Sequence, residues 1–244
     1  MTSLPWLSPN NIDFPSTDLA LAEPNGLLAV GGDLSPQRLI NAYRQGIFPW
    51  YDHPQPILWW SPSPRAVLFP SKIHISNSLR KRLHRNEYTV SCDQQFEQVV
   101  QHCATVPRQD QDGTWITKEM FDAYSELHRR GIAHSVEVWH EGQLAGGLYG
   151  LAIGKVFFGE SMFSLRTDAS KVAIVHLAKQ LEHWGYALID CQVTNPHLLT
   201  LGIEEIDRPQ FTTLLKANID LNSSAKWPRY WNWKAPVDMD ESLP

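Results

Sequence analysis

The sequence predicts an α/β (α+β) protein in which a small N-terminal domain, residues 1–65, leads into a mixed-sheet domain, residues 66–244. Three observations support this. The leading stretch is dense in Pro, Gly and Trp. Between residues 133 and 163 the apolar period changes from 3.6 to 2, with tight turns at "EGQ" and "GK", which describes a three-stranded antiparallel meander. After the meander the pattern runs helix, strand, helix, strand.

In the leading stretch, Ser35 before Pro36 is a helix start, Leu39, Ile40 and Tyr43 give an apolar side, and Gly46 ends the helix. Residues 46–65 are too rich in Pro for regular structure and read as an aromatic wall packed on something larger. Ile75, Leu79 and Leu83 fall on one side of a helix. A helix over 93–104 takes Asp93 as its cap; another over 117–130 takes Thr117, with Gly131 as its stop. A long helix over 168–184 carries Ile174, Leu177, Ala178 and Leu181 inward and stops at Gly185. "YALIDCQV" is a strand, Asn195 and Pro196 open a short helix ending at Gly202, and a last helix starts at Pro209.

The chain has 244 residues and a net charge of −5, so no global field draws it to a polyanion, and any such site must be local. The densest positive patch is Lys72, Arg80, Lys81, Arg82 and Arg85, with no acid from Ser71 to Asn86. It fits phosphate binding or a solvated helix face. Three separated Cys without CxxC indicate a reduced, cytoplasmic protein, and ten scattered His without HExxH argue against a metal site. No signal peptide and no membrane span are recognisable, so no membrane partner is expected. The absence of a long apolar heptad points to a monomer.

"LIDCQVTNPHLLTLG" places an acid, a thiol and an amide in an apolar run. Strand alternation sets Asp190 and Gln192 on one face and Cys191 and Val193 on the other. Cys191 then packs as a small hydrophobe, and nothing sets it beside His197 as a nucleophile pair.

The stretches "EPNGLLAVGGDLSPQRLINAYRQGIFPWY", "PILWWSPSPRAVL", "GTWIT", "AHSVEVW", "GGLYGLAIGKVFFGESMFS", "ASKVA" and "IDCQ", in this order, resemble bacterial leucyl/phenylalanyl-tRNA–protein transferases over about residues 12–217. The second domain resembles the fold of Gcn5-related N-acetyltransferases. The resemblance implies transfer of Leu, Phe or, less well, Met from aminoacyl-tRNA to proteins beginning with Arg or Lys, marking them for N-degron degradation, with no metal and no cofactor. It implies that Asp190 and Gln192 are catalytic and that Trp50 and Trp115 position the terminal adenosine. An apolar aminoacyl pocket then falls on Leu148, Met162, Leu177 and Leu181. Glu160 either holds a cationic amine or straps strands together. The junction "SLRTDASK" lacks the glycines of a CoA phosphate loop, and Asp168 opposes phosphate there. A CoA-dependent N-acetyltransferase and a non-catalytic RNA-binding module remain as alternatives.

Overall fold

The computed structural model describes residues 4–52, 54–106, 116–222 and 227. A four-stranded sheet is built from β1 (Trp6–Leu7), β2 (Leu27–Gly31), β3 (Phe48–Pro49) and β4 (Leu58–Trp60), in the order β1-β2-β4-β3. Helix α1 (Pro36–Arg44) leaves β2 and starts as its sequence implies: Ser35 Oγ accepts the Arg38 N–H, and Pro36 sits in the first turn. The Pro-rich stretch 46–65 is more regular than expected, because it contains β3 and β4. Pro49 is tolerated since β3 is an edge strand, whose outer side needs no ladder donor.

The second sheet opens with β5 (Arg65–Leu68), followed by α2 (Asn77–His84), β6 (Thr89–Cys92), α3 (Phe96–Thr105) and α4 (Lys118–Arg129). The meander is β7 (Ala133–His140), β8 (Gln143–Ile153) and β9 (Val156–Ser164), paired antiparallel. Helix α5 (Ala169–His183) then carries the chain to β10 (Leu188–Gln192), which lies parallel to β9. The chain ends in α6 (Pro196–Leu199), β11 (Glu204–Ile206) and α7 (Arg208–Asn218). The strand order is β11-β5-β10-β9-β8-β7-β6, a mixed sheet of seven strands. Among the described residues no helix is long and apolar enough to cross a membrane.

Side-chain caps account for most helix starts. Ser76, Thr117, Asn195 and Asp207 accept the N–H of Leu79, Met120, Leu198 and Gln210. Two expected starts move. Asp93 does not cap α3, which begins after Gln95. Asp93 lies in the left-handed region (φ 57°) and instead binds the Ser135 N–H at 2.8 Å and His134 Nδ1 at 2.7 Å. The last helix begins at Arg208 behind Asp207, and Pro209 falls inside its first turn.

The large sheet separates two apolar clusters. One joins Leu39, Tyr43 and Trp59 to Val99, Tyr124, Phe158 and Phe211, so the leading segment shares a core with α3, α4 and α7. The other packs Leu68, Val136 and Leu148 against Leu177 and Leu181 of α5.

The two meander turns allow a clean comparison. Gly142 (φ 76°) faces open space, whereas a Cβ on Gly154 (φ 60°) would sit 2.4 Å from the Ile219 carbonyl oxygen. Gly142→Ala should lose only the left-handed penalty, about 1–2 kcal/mol. Gly154→Ala should lose about 1–3 kcal/mol more, because the α7 terminus must shift. Urea unfolding of both variants measures the difference, and equal losses would contradict the packing at α7.

Candidate active site

Two charges stand in apolar strands without local partners: Arg65 opens β5 and Asp190 sits in β10. Neither can be buried alone. The antiparallel pairing of β5 with β10 brings them together, and Arg65 Nε and Nη2 donate to Asp190 Oδ1 and Oδ2 at 2.8 and 2.7 Å. The side chains are 1% and 0% exposed. The guanidinium carbon lies 4.9 Å from the Phe48 ring centre and 4.6 Å from that of Phe211, so two aromatic rings pack against the cation.

Asp190 and Gln192 do not follow plain strand alternation, contrary to the sequence expectation. The register steps from Asp190↔Val67 to Gln192↔Ala66, leaving Cys191 as the extra residue of a bulge. Gln192 is in the left-handed region (φ 59°), a strained conformation for this residue type. Its N–H donates to Asp190 Oδ1 at 3.0 Å, and its Nε2 is buried without a hydrogen-bond partner among the described residues. Asp190 therefore supports Gln192 through the backbone, while Arg65 donates to both of its oxygens.

A second bulge lies opposite. Tyr149 pairs with Ser161 and Gly150 with Gly159, so Glu160 is the extra residue of β9. Its carboxylate accepts from Tyr43 Oη at 2.6 Å and Tyr124 Oη at 2.9 Å, and the two phenols touch each other at 2.5 Å. Glu160 is half-buried as a residue. Burial raises its pKa to about 7; the two phenols pull it back down, Asp190 pushes it up and Arg65 draws it down. The phenols of Tyr43 and Tyr124 are pushed well above their ordinary value, chiefly by burial.

Parallel pairing of β9 with β10 runs from Leu188↔Val156 to Asp190↔Phe158, while β9 continues to Ser164. Beyond Phe158 no further pair joins the two strands, and both bulges fall where they part. Met162, half-buried, is on this free length of β9 and pairs with Leu148 of β8. Leu148, Leu177 and Leu181 are fully buried on the α5 side, whereas the Glu160 carboxylate reaches α1 and α4 on the other. The residues expected in one pocket are thus spread over both sides of the β9–β10 divergence.

Trp50 is 42% exposed, with its ring 5.7 Å from that of Trp60. Trp115 lies outside the described residues, as does the side chain of His197. Cys191 packs against the α5-side cluster, and burial pushes its thiol far above the ordinary value. The basic patch is narrower than its sequence suggests. Arg82 is paired with Glu87 and Asp168, Arg85 with Glu87, and Lys72 with Glu204. Glu87 follows the 71–86 segment directly, whereas folding brings in Asp168 and Glu204 from far along the chain, which no local charge count can register. Arg80 and Lys81 are exposed and form no ion pair among the described residues. Sequence reasoning missed Arg65, Tyr43 and Tyr124. The available signal was a lone Arg and a lone Asp, each within an apolar run.

Comparison with known proteins follows the same lines. The family model described as leucyl/phenylalanyl-tRNA protein transferase matches residues 67–216, and the model of its N-terminal domain matches residues 32–63. The leucyl/phenylalanyl-tRNA–protein transferase of Nitrosomonas europaea is 58% identical over 91% of this chain and 94% of its own. That of Azotobacter vinelandii is 58% identical over 92% of this chain and 99% of its own. A solved structure of L-PGS from Bacillus licheniformis aligns with 66% of this chain and 52% of its own at 12% identity, with a TM-score of 0.38.

Two outcomes follow from this geometry. Arg65→Ala strands a buried carboxylate and should cost about 3–5 kcal/mol, whereas the double variant Arg65→Met/Asp190→Leu should recover most of that loss. Denaturant unfolding of the two variants tests it, and equal losses would show that the pair is not electrostatically coupled. For Glu160, the folded state holds its proton to about pH 7 while an unfolded Glu releases it near 4.5. Stability should therefore fall from pH 4.5 to 7 relative to Glu160→Gln. Tyr43→Phe removes a hydrogen bond to the ionised form, so the carboxyl titration followed by NMR should move above 7.

Proposed function

Because the chain belongs to the leucyl/phenylalanyl-tRNA protein transferase family, we propose that it transfers Leu, Phe and, less well, Met from aminoacyl-tRNA to the α-amine of proteins beginning with Arg or Lys. The product enters N-degron degradation, and the enzyme works as a cytoplasmic monomer. The observation that carries this reading is family membership over most of the chain, joined to a polar pair of bulges at the β9–β10 divergence.

The chemistry asks little of the protein. The attacking amine forms a C–N bond to the ester carbonyl carbon, the ester C–O bond breaks, and the amine proton ends on the ribose oxygen. The ester is already activated, and alignment can contribute about 7–11 kcal/mol. Gln192 is neutral, and its amide oxygen can accept a hydrogen bond from the amine as the proton leaves. Asp190 is a poor candidate for the base, since Arg65 occupies both of its oxygens. Its part is to hold the Gln192 backbone in the left-handed turn. Glu160, held by Tyr43 and Tyr124, receives a cationic amino group of the donor or acceptor. Met162, half-buried, offers apolar surface that suits unbranched or γ-branched side chains better than Val or Ile, with Leu148, Leu177 and Leu181 behind it. Trp50 has a free face for the terminal adenine, and Trp115 has the same role. Arg80 and Lys81 meet the tRNA backbone, assisted by Lys72, Arg82 and Arg85.

The deciding experiment is transfer of labelled Leu from charged tRNA to a peptide starting with Arg; a folded chain that transfers nothing would overturn the reading. Within that assay, Asp190→Ala and Gln192→Ala should each lower kcat by roughly 10- to 1000-fold, and the double variant should be little worse than the poorer single. Cys191→Ala should stay active. Gln192→Glu should lose rate, because a second carboxylate beside Asp190 repels it; a gain would mark position 192 as a true general base.

A further inference from the structure

We propose that the depression at the β9–α5 junction seats a backbone phosphate of a polynucleotide, and that with α2 it forms one continuous track for tRNA. The proposal rests on the aminoacyl-tRNA reading and adds a site that the sequence patch does not contain.

The depression has a volume of about 430 Å3 and is open to solvent. It is lined by Ser164, Leu165, Arg166, Thr167, Ser170 and Lys171, with Asp168 among them. Its loop is pinned from within: Ser164 Oγ donates to the Arg166 carbonyl at 2.8 Å and accepts the Ser170 N–H at 3.2 Å. Tyr88 Oη braces it from outside by donating to the Thr167 carbonyl at 2.9 Å.

The charges converge here. Asp168 Oδ2 accepts from Arg82 Nε at 3.1 Å, and its Oδ1 lies 3.6 Å from Lys171 Nζ. One acid is thus shared by two cations. Arg166 is exposed and forms no ion pair among the described residues. Arg82 belongs to α2, so the Arg82–Asp168 bridge ties the helix that carries the exposed Arg80 and Lys81 to the rim of the depression. α2 and the loop together carry six cations, Arg80, Lys81, Arg82, Arg85, Arg166 and Lys171, against the two acids Asp168 and Glu87, which among the described residues pair only with Arg82, Arg85 and Lys171. This surplus sits on a chain of net charge −5, which makes it a local field rather than an average one.

The shape selects the ligand. No glycine lines the depression, and a carboxylate stands in it, so it does not wrap a pyrophosphate. A phosphodiester carries a single charge and passes along a surface, which suits an open concavity with cations on its rim. Leu165, about half exposed, gives a neighbouring sugar an apolar contact.

The experiment titrates tRNA against Arg166→Glu, Lys171→Gln and Asp168→Asn over a salt series, with thermal melting to confirm folding. The first two should raise Kd about tenfold at ~0.1 M salt and flatten the log–log salt slope by about 0.7–0.9 per lost contact. Transfer from charged tRNA should fall about tenfold relative to transfer from a short aminoacyl-adenosine. Asp168→Asn removes an acid from the track and should tighten binding several-fold, a gain that misfolding cannot mimic. Unchanged slopes in Arg166→Glu and Lys171→Gln, or no gain in Asp168→Asn, would overturn the proposal. Saturable CoA binding that competes with tRNA at this depression would overturn it as well. Failure of wild-type transfer to an Arg-starting peptide would instead overturn the aminoacyl-tRNA reading.

Discussion

The buried Arg65–Asp190 pair is the contact on which the arrangement of the site depends. It ties β5 to β10, the second and third strands of the large sheet, and its guanidinium lies against Phe48 from the first sheet and Phe211 from α7. Four separate parts of the chain therefore meet on one cation. A charge pair at that depth is expensive to desolvate, and a pair of apolar residues would fill the space at less cost. Its retention makes sense through what it positions. Asp190 has enough acceptor capacity left to take the Gln192 N–H, and that bond helps hold a non-glycine residue at positive φ.

The two bulges explain how a regular meander can present polar groups at one place. Each inserts an extra residue, Glu160 in β9 and Cys191 in β10, close to where parallel pairing of the two strands ends. A bulge re-aims side chains that alternation would otherwise dictate. On β9 it sends a carboxylate into the phenols of Tyr43 and Tyr124, while Met162 two residues on keeps to the α5 side. The Arg65–Asp190 pair acts on Glu160 electrostatically, the carboxylate raising its pKa and the guanidinium lowering it. The Glu160 carboxyl, with its pKa near 7, can change protonation without leaving its hydrogen bonds.

The basic surface of α2 is arranged differently. Cations on α2 are partly neutralised by Glu87 and Asp168, and this pairing also fixes where they stand. Exposed ion pairs add little stability, but they orient long side chains over the loop at the start of α5. The helix α2 patch and the β9–α5 loop, far apart in sequence, become neighbours through one such bridge, Arg82 to Asp168.

Local chemistry made much of the fold legible. Ser35, Thr117, Asn195 and the Gly at 131, 185 and 202 mark helix ends because a cap needs only its own few neighbours. Period-two alternation marked the meander for the same reason, and long motif runs marked the family. The site was legible only as a set of residue types. Asp190, Gln192, Glu160 and Trp50 stood out in the sequence, but their relations did not. Asp190 turned out to be paired with Arg65, which precedes it by 125 positions, and Glu160 with phenols from two helices. The bulges that set Glu160 and Gln192 depend on register with β8 and β5, and the loss of Arg82 from the patch depends on a loop 86 positions away. Sequence determined which segments become helices and strands, because propensity, capping and periodicity act over a few residues. Tertiary structure decided which charges are neutralised and where the polar groups meet, because burial and pairing are settled between segments that no local pattern connects.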